Sequence, residues 1–188
     1  MAPRAAGDKR ERLLDAARSL IHQQGFNQTT LAHIAKESGV PLGNVYYYFK
    51  TKDEIAAAVI DDYRERTEQM LRELEDKEPD PKKRLIFLVK RMSSAKDEIA
   101  SHGCPVGSLC QELNKAYTPL AASADDIFKL QINWAAAQFR HLGRKDAADL
   151  AVQLIASLQG TSLLANAMQS PEMASRQLTR LVNWINDM

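Results

Sequence analysis

The chain has 188 residues, 45% of them hydrophobic and 26% charged, with 25 Lys/Arg against 24 Asp/Glu. That length holds one domain or one plus a small one, and it buries a core without staples. Two cysteines exclude a disulfide scaffold, and the composition excludes collagen-like and disordered classes. The longest apolar run, Ile55–Ile60, is far short of the ~20 residues of a membrane span, and no apolar signal core follows the basic start. The chain is therefore expected in the cytoplasm.

Nearly everything reads as helix. Asp8 and Glu11 form an Asp-x-x-Glu box ahead of Leu13, Leu14, Ala17, Leu20 and Ile21 at helical spacing, and Gly25 ends that helix. A short helix fits Thr30–Ser38 with Gly39 as its breaker. A second short helix starts at Pro41 and runs to about Tyr48. Thr51 and Glu54 make a capping box for a longer helix reaching the charged 72–78 stretch. Asp80-Pro81 opens a helix with Leu85, Leu88, Val89 and Met92, ending near His102-Gly103. Cys104-Pro105 opens another, to about Ala116. Ile127, Leu130, Trp134, Ala137 and His141 share a face of the next, which Gly143 ends. Ala147, Leu150, Ala151, Leu154, Ile155 and Leu158 mark a helix to about Met168. Ser170-Pro171 starts the last, with Leu181, Ile185 and Met188 on one face. The expectation is an all-α protein of about nine helices.

Charge is unevenly spread. Residues 1–52 carry eight Lys/Arg against four Asp/Glu, a net +4, and the remainder is −3. A basic N-terminal unit (1–52) and a mildly acidic helical body (53–188) point to an anionic partner for the first part only. Within that unit, Thr29–Lys52 reads TTLAHIAKESGVPLGNVYYYFKTK. Leu31, Ile34 and Ala35 give the first short helix an apolar face, Gly39 permits a sharp turn with Val40 packed into it, and Val45 and Phe49 anchor the second. This is helix-turn-helix logic, in which a buried helix pair holds the second helix at a fixed angle for a DNA major groove. The exposed side is expected to carry Pro41, Leu42, Gly43, Asn44, Tyr47 and Tyr48, while Phe49, and in part Tyr46, belong to the core. Asn44 can bond base edges, Gly43 admits close backbone approach, and tyrosine hydroxyls and lysines suit phosphates. Arg4, Lys9 and Arg10 could add phosphate contacts.

Over roughly residues 8–60 the sequence resembles the TetR family of bacterial transcriptional regulators. The resemblance rests on Gly25-Phe26, Thr29-Thr30, Ile34-Ala35, Gly39-Val40, Gly43-Asn44, Tyr46 to Phe49 and Lys52 to Ile55. GNVYYYFKTK is most similar to the multidrug-responsive members. The resemblance implies DNA contacts, mostly to phosphates, by Thr30, Gly43, Asn44, Tyr46, Tyr47, Tyr48 and Lys52. Position 42 is often lysine or another polar residue in the family; Leu42 can touch a thymine methyl but not a phosphate. Position 41 is often a capping serine and is Pro41 here. The resemblance also implies an all-helical ligand-binding domain whose last two helices pair with a second subunit. Small residues along Ala147–Met168 and the apolar Leu181, Trp184 and Ile185 allow that pairing.

His102-Gly103-Cys104-Pro105-Val106-Gly107 is similar to a Gly-Cys-x-x-Gly segment of some TetR-type regulators. Cys104 at a helix N-terminus, near His102, would suit an electrophile- or oxidant-sensing thiol, although a packing role is the commoner fate. Cys110 lies about 600° around the helix from it, against an internal disulfide. His102, Cys104 and Cys110 lack zinc spacing and a fourth ligand, so no metal or cofactor is expected. Candidates for an apolar ligand pocket are Met92, Tyr117, Phe128, Trp134 and Met168, with Phe87 and Phe139. An enzyme built on Cys104 and His102 lacks an orienting group, oxyanion motif or phosphate loop. A helical adaptor leaves the +4 N-terminus unexplained. The expected function is a dimeric DNA-binding regulator, a repressor released by a small apolar or aromatic ligand or by an electrophile, with the helix from Thr51 linking its two parts.

Overall fold

The computed structural model describes residues 6–116 and 119–188, with side chains from Lys9 onward; Arg4 and Tyr117 lie outside the described residues. The elements are α1 (Ala6–Gln24), α2 (Leu31–Ser38), α3 (Leu42–Tyr48), α4 (Lys52–Lys77), α5 (Pro81–Ser94), α6 (Lys96–His102), α7 (Pro105–Lys115), α8 (Ala121–His141), α9 (Ala147–Ala167) and α10 (Pro171–Asn186). The all-α expectation holds. Side-chain acceptors start five of these helices: Thr30, Thr51, Asp80, Cys104 and Ser170 each receive a backbone N–H of the first turn. Such caps satisfy donors that the helix itself cannot, at about 1 kcal/mol for an oxygen acceptor.

Two helix boundaries differ from the sequence reading. α1 is already helical at Ala6, the first described residue and ahead of Asp8, so Asp8 sits inside the helix rather than opening it. The span expected as one helix to His102 is broken at Ala95, giving ten segments; counted as one interrupted rod, α5–α6 restores the nine. No Gly or Pro marks the break. It is set by packing: α5 lies against α8 and α10, whereas α6 lies against α9 and the start of α10, where Ile99 joins Ala165, Met173 and Ala174.

The core forms two main clusters. The first unites Leu13, Ala17, Ile21, Phe26, Ile34, Val40, Val45, Phe49 and Ile55 with Leu109 and Leu113 of α7 and Ile127 of α8, so it continues past residue 52. The second joins the C-terminal half of α4 to α5, α8, α9 and α10. α4 runs through both. Its far end is tied down by Arg84, whose guanidinium donates to Glu78 O (2.6 Å), Glu75 O (3.0 Å) and Gln138 Oε1 (3.0 Å). A cation is favourable there, beside the carbonyls left unpaired at a helix C-terminus.

Among the described residues α9 is the one helix long and apolar enough to cross a bilayer. One side of it is buried through Leu150, Leu154, Ile155 and Leu158 against neighbouring helices, and the other exposes Val152, Leu163 and Leu164.

Candidate nucleic-acid interface

α2 and α3 are too short, at 8 and 7 residues, to hold helical form alone. Their geometry comes from their ends and their buried faces. Thr30 accepts the His33 N–H at 3.1 Å to start α2. Gly39 ends it at φ +64°, with the Val40 N–H returning to Ala35 O at 3.1 Å. A side chain at Gly39 would be strained by that φ and would meet Arg12, whose guanidinium caps Ser38 O from α1. α3 then hangs on Val45 and Phe49, both buried; burial of each such side chain stabilises by about 2 kcal/mol. The Phe49 ring is also covered by the Arg10 guanidinium, 5.6 Å from its centroid.

The opposite side of α3 faces solvent. Pro41, Leu42, Gly43, Asn44, Tyr46 and Tyr47 are exposed, Tyr47 by 77%, and a Cβ at Gly43 would meet nothing within 4 Å. Pro41 occupies the N-cap position, one residue earlier than expected, and offers no side-chain acceptor. The tyrosines exchange expected roles: Tyr46 is 47% exposed, whereas Tyr48 is half-buried against the first core cluster and meets the Tyr47 ring edge-on at 5.1 Å. The helical period explains this. At about 100° per residue, Tyr48 lies about 60° from the inward Val45 direction and Tyr46 about 100° from it.

Lys52, at the start of α4, is half-buried. Its ammonium donates to Phe26 O (3.0 Å) and Asn27 O (3.3 Å) and stands 4.2 Å from the Phe26 ring centroid. Sequence reasoning assigned it to phosphate; in the structure it first holds the turn between α1 and α2. α4 opens with a capping arrangement one residue longer than the simple box: Thr51 accepts the Glu54 N–H at 3.1 Å, while the Glu54 carboxylate accepts the Lys50 N–H at 2.7 Å.

Behind this face a cavity of about 540 Å³ opens between α1, α4, α5, α6, α7, α8 and α9. Of the pocket candidates among the described residues, Met92 and Cys104 line it. Trp134 is buried in the second cluster, Phe128 packs between both clusters, His102 stacks edge-on against His22 at 5.6 Å, and Met168 and Phe87 are exposed. Phe139 is fully buried. The residues missed are on α1 and α4: Arg18, His22, Tyr63 and Met70. Arg18 and His22, four apart, share a face, which was the signal available. Arg18 bonds Asp62 at 2.7 Å and Asp15 at 2.8 Å. The His22 ring contacts Gly103 O at 2.9 Å and the Glu98 carboxylate at 3.4 Å. Burial pushes the Tyr63 hydroxyl well above the ordinary tyrosine range, with Arg18 drawing it back only in part. Cys104 caps α7, its sulfur receiving the Gly107 N–H at 3.4 Å. Cys110 is buried, and burial, reinforced by Asp125, pushes its thiol up to about 12.

The model of the bacterial regulatory proteins of the tetR family matches residues 13–59. The chain is 30% identical over 166 residues (87% of this chain, 85% of the relative) to YxaF, an uncharacterised HTH-type transcriptional regulator of Bacillus subtilis (strain 168). It is 32% identical over 133 residues (69% and 68%) to the HTH-type transcriptional regulator LmrA of the same organism. Among solved structures, a TetR transcriptional regulator from Legionella pneumophila superposes with a TM-score of 0.83, covering 98% of each chain at 20% identity. That last likeness carries the fold alone.

Proposed function

The chain belongs to the TetR family of bacterial transcriptional regulators, DNA-binding proteins rather than enzymes, and from that premise we propose that it is a dimeric repressor released from its operator by a small ligand. Residues 1–52 act as the reading unit and 53–188 as the ligand-binding and dimerisation unit. The observation that carries the reading is the solvent-facing side of α3, held at a fixed angle by buried Val45 and Phe49 and presenting Gly43, Asn44, Tyr46 and Tyr47. Asn44 and Leu42 suit base edges and a thymine methyl. The tyrosine hydroxyls and Thr30 suit phosphates, and Tyr48 and Lys52 support them from half-buried positions.

A second copy of the chain covers the exposed side of α9. Val152, Leu163 and Leu164 supply apolar area there, and Ala156 and Gly160 let a partner helix approach. A two-fold dimer then sets two copies of α3 one helical turn of DNA apart, about 34–36 Å. The cavity is the inducer site. Its volume suits a small molecule, and its walls mix Met70, Leu88 and Met92 with the polar Arg18, His22 and Tyr63. Arg18 and His22 belong to α1, so an occupant touches the reading unit directly. A ligand that fits one arrangement of α1 better than the other shifts the population away from the DNA-binding form by its differential affinity. The protein works in the cytoplasm, where bacterial DNA is.

Fluorescence anisotropy on the duplex upstream of its own gene, against scrambled duplex at two salt concentrations, tests this. Tight, sequence-dependent binding is expected, weakened by Tyr47→Phe, which removes only an exposed hydroxyl. Equal, weak binding to both duplexes overturns it. A second reading is favoured by one observation: the Cys104 sulfur lies both at the α7 N-terminus and on the cavity wall. Alkylation by an electrophile there would then release DNA, and Cys104→Ser would abolish that response.

A further inference from the structure

One acidic side chain of the body grips the α1–α2 turn of the reading unit. Glu112, on α7, accepts the Phe26 N–H at 3.1 Å through Oε1 and the Asn27 N–H at 2.9 Å through Oε2, across more than eighty residues of sequence. The same two residues are held by Lys52, whose ammonium donates to both their carbonyls. The α1–α2 turn is thus gripped by an acid on its amides and a base on its carbonyls. Gly25 makes room for the grip. It adopts φ +87°, and a Cβ there would stand 2.7 Å from Glu112 Oε1. The turn continues into Thr29, buried with its hydroxyl donating to Gly25 O at 2.7 Å, and then into Thr30, the cap of α2. The position of the turn therefore fixes where the helix-turn-helix begins. α7 is backed by Leu109 and Leu113 in the same core cluster as α1, and its opposite end walls the cavity with Cys104 and Val106.

We propose that Glu112 is a positioning residue for DNA binding: from outside the reading unit, its carboxylate holds the Phe26–Asn27 amides and so sets the register of α2 and α3 against DNA. The inference rests on the functional reading above for what the turn serves, but its grip on the turn can be measured without DNA.

The test uses the full chain with Glu112→Gln and Glu112→Ala. Glutamine keeps the shape but turns an N–H₂ toward one of the two amides, so it cannot accept both. Hydrogen exchange is expected to speed up at least tenfold at both Phe26 and Asn27 in Glu112→Ala and at one of the two in Glu112→Gln, with interior α2 amides unchanged. Affinity for the upstream duplex is expected to fall about tenfold, with nearly the same salt slope, because no Lys or Arg is removed. The sign is diagnostic. If Glu112 acted only through its charge, removing a carboxylate beside the DNA face would tighten binding. If it were only structural, the melting temperature would fall and the affinity of the folded protein would not. Gly25→Ala, which pushes the carboxylate aside, should reproduce both effects. Should Glu112→Ala not fold, the near-isosteric glutamine variant carries the test. Amides that stay protected, or freed amides with unchanged or tighter DNA binding, overturn the proposal. A wild-type chain that binds no duplex overturns the functional reading instead, and the exchange result still decides whether Glu112 holds the turn.

Discussion

The two thiols provide a sharp test of the packing around α7, because they lie six residues apart on one helix yet in different surroundings. Cys104 caps the helix on a cavity wall, while Cys110 is buried with its thiol pushed up to about 12. An unperturbed thiol ionises near 8.5, so at pH 7.5 about a tenth of it is thiolate. At pH 7.5 a thiol titrating near 12 is ionised to only about 3 × 10⁻⁵, a deficit on the order of 3,000-fold before access is counted. Titration of the native protein with a chromogenic aryl disulfide should therefore release one equivalent in a fast phase, and the second only on unfolding. Cys104→Ser should remove the fast phase and Cys110→Ala should leave it intact. Two equivalents released together from native protein, or a fast phase surviving in Cys104→Ser, refutes the assignment of Cys110 to a sealed core.

The same burial has a pH signature. In the unfolded chain Cys110 and Tyr63 ionise near 8.5 and 10, but in the folded chain both are held protonated to higher pH. The unfolded state thus binds fewer protons above about pH 9, and stability falls as pH rises, by at most about 1.4 kcal/mol per pH unit for each group. Melting curves from pH 7 to 11 should show this loss, and Cys110→Ala or Tyr63→Phe should lessen it. Thr30→Ala removes the acceptor for the His33 N–H and should cost about 1 kcal/mol, or about 2–4 °C by calorimetry. Leu163→Glu, on the exposed side of α9, should leave the circular dichroism unchanged and convert dimer to monomer in sedimentation.

Local signals in the sequence were strong. Thr30, Thr51, Asp80, Cys104 and Ser170 each mark a helix start because a cap acts within three residues. Gly39 marks the α2 end because only a left-handed residue closes it. The exchange of Tyr46 and Tyr48 was also legible, since the 100° period places Tyr48 nearer Val45. What the sequence hides is set by partners distant along the chain. Ala95 is an ordinary helix former, and α5 breaks there because α6 has its own bed on α9 and the start of α10. Aromatic residues marked as pocket lining, such as Trp134, went to the solid core, while the cavity drew Arg18, His22 and Tyr63 from α1 and α4. Lys52 reads as a phosphate ligand from its motif, and its grip on Phe26 and Asn27 is visible only once residues 26 and 52 are neighbours.

The anchoring of α4 sets a gear ratio. With 26 residues the helix is about 39 Å long, and Arg84 fastens it beyond Glu75. Met70, on the cavity wall, lies about 12 Å from that fastening, and Lys52 lies at the far tip. A push of about 1 Å at Met70 therefore tilts the helix by about 5° and carries its tip by about 3 Å, close to the rise of one base pair along a strand. In the two-fold assembly proposed above the displacement occurs twice, in directions related by the two-fold axis. On that proposal, the component of the displacement along the line joining the two reading heads is doubled in their spacing, so a movement too small to unfold anything would put them out of phase with the DNA helix.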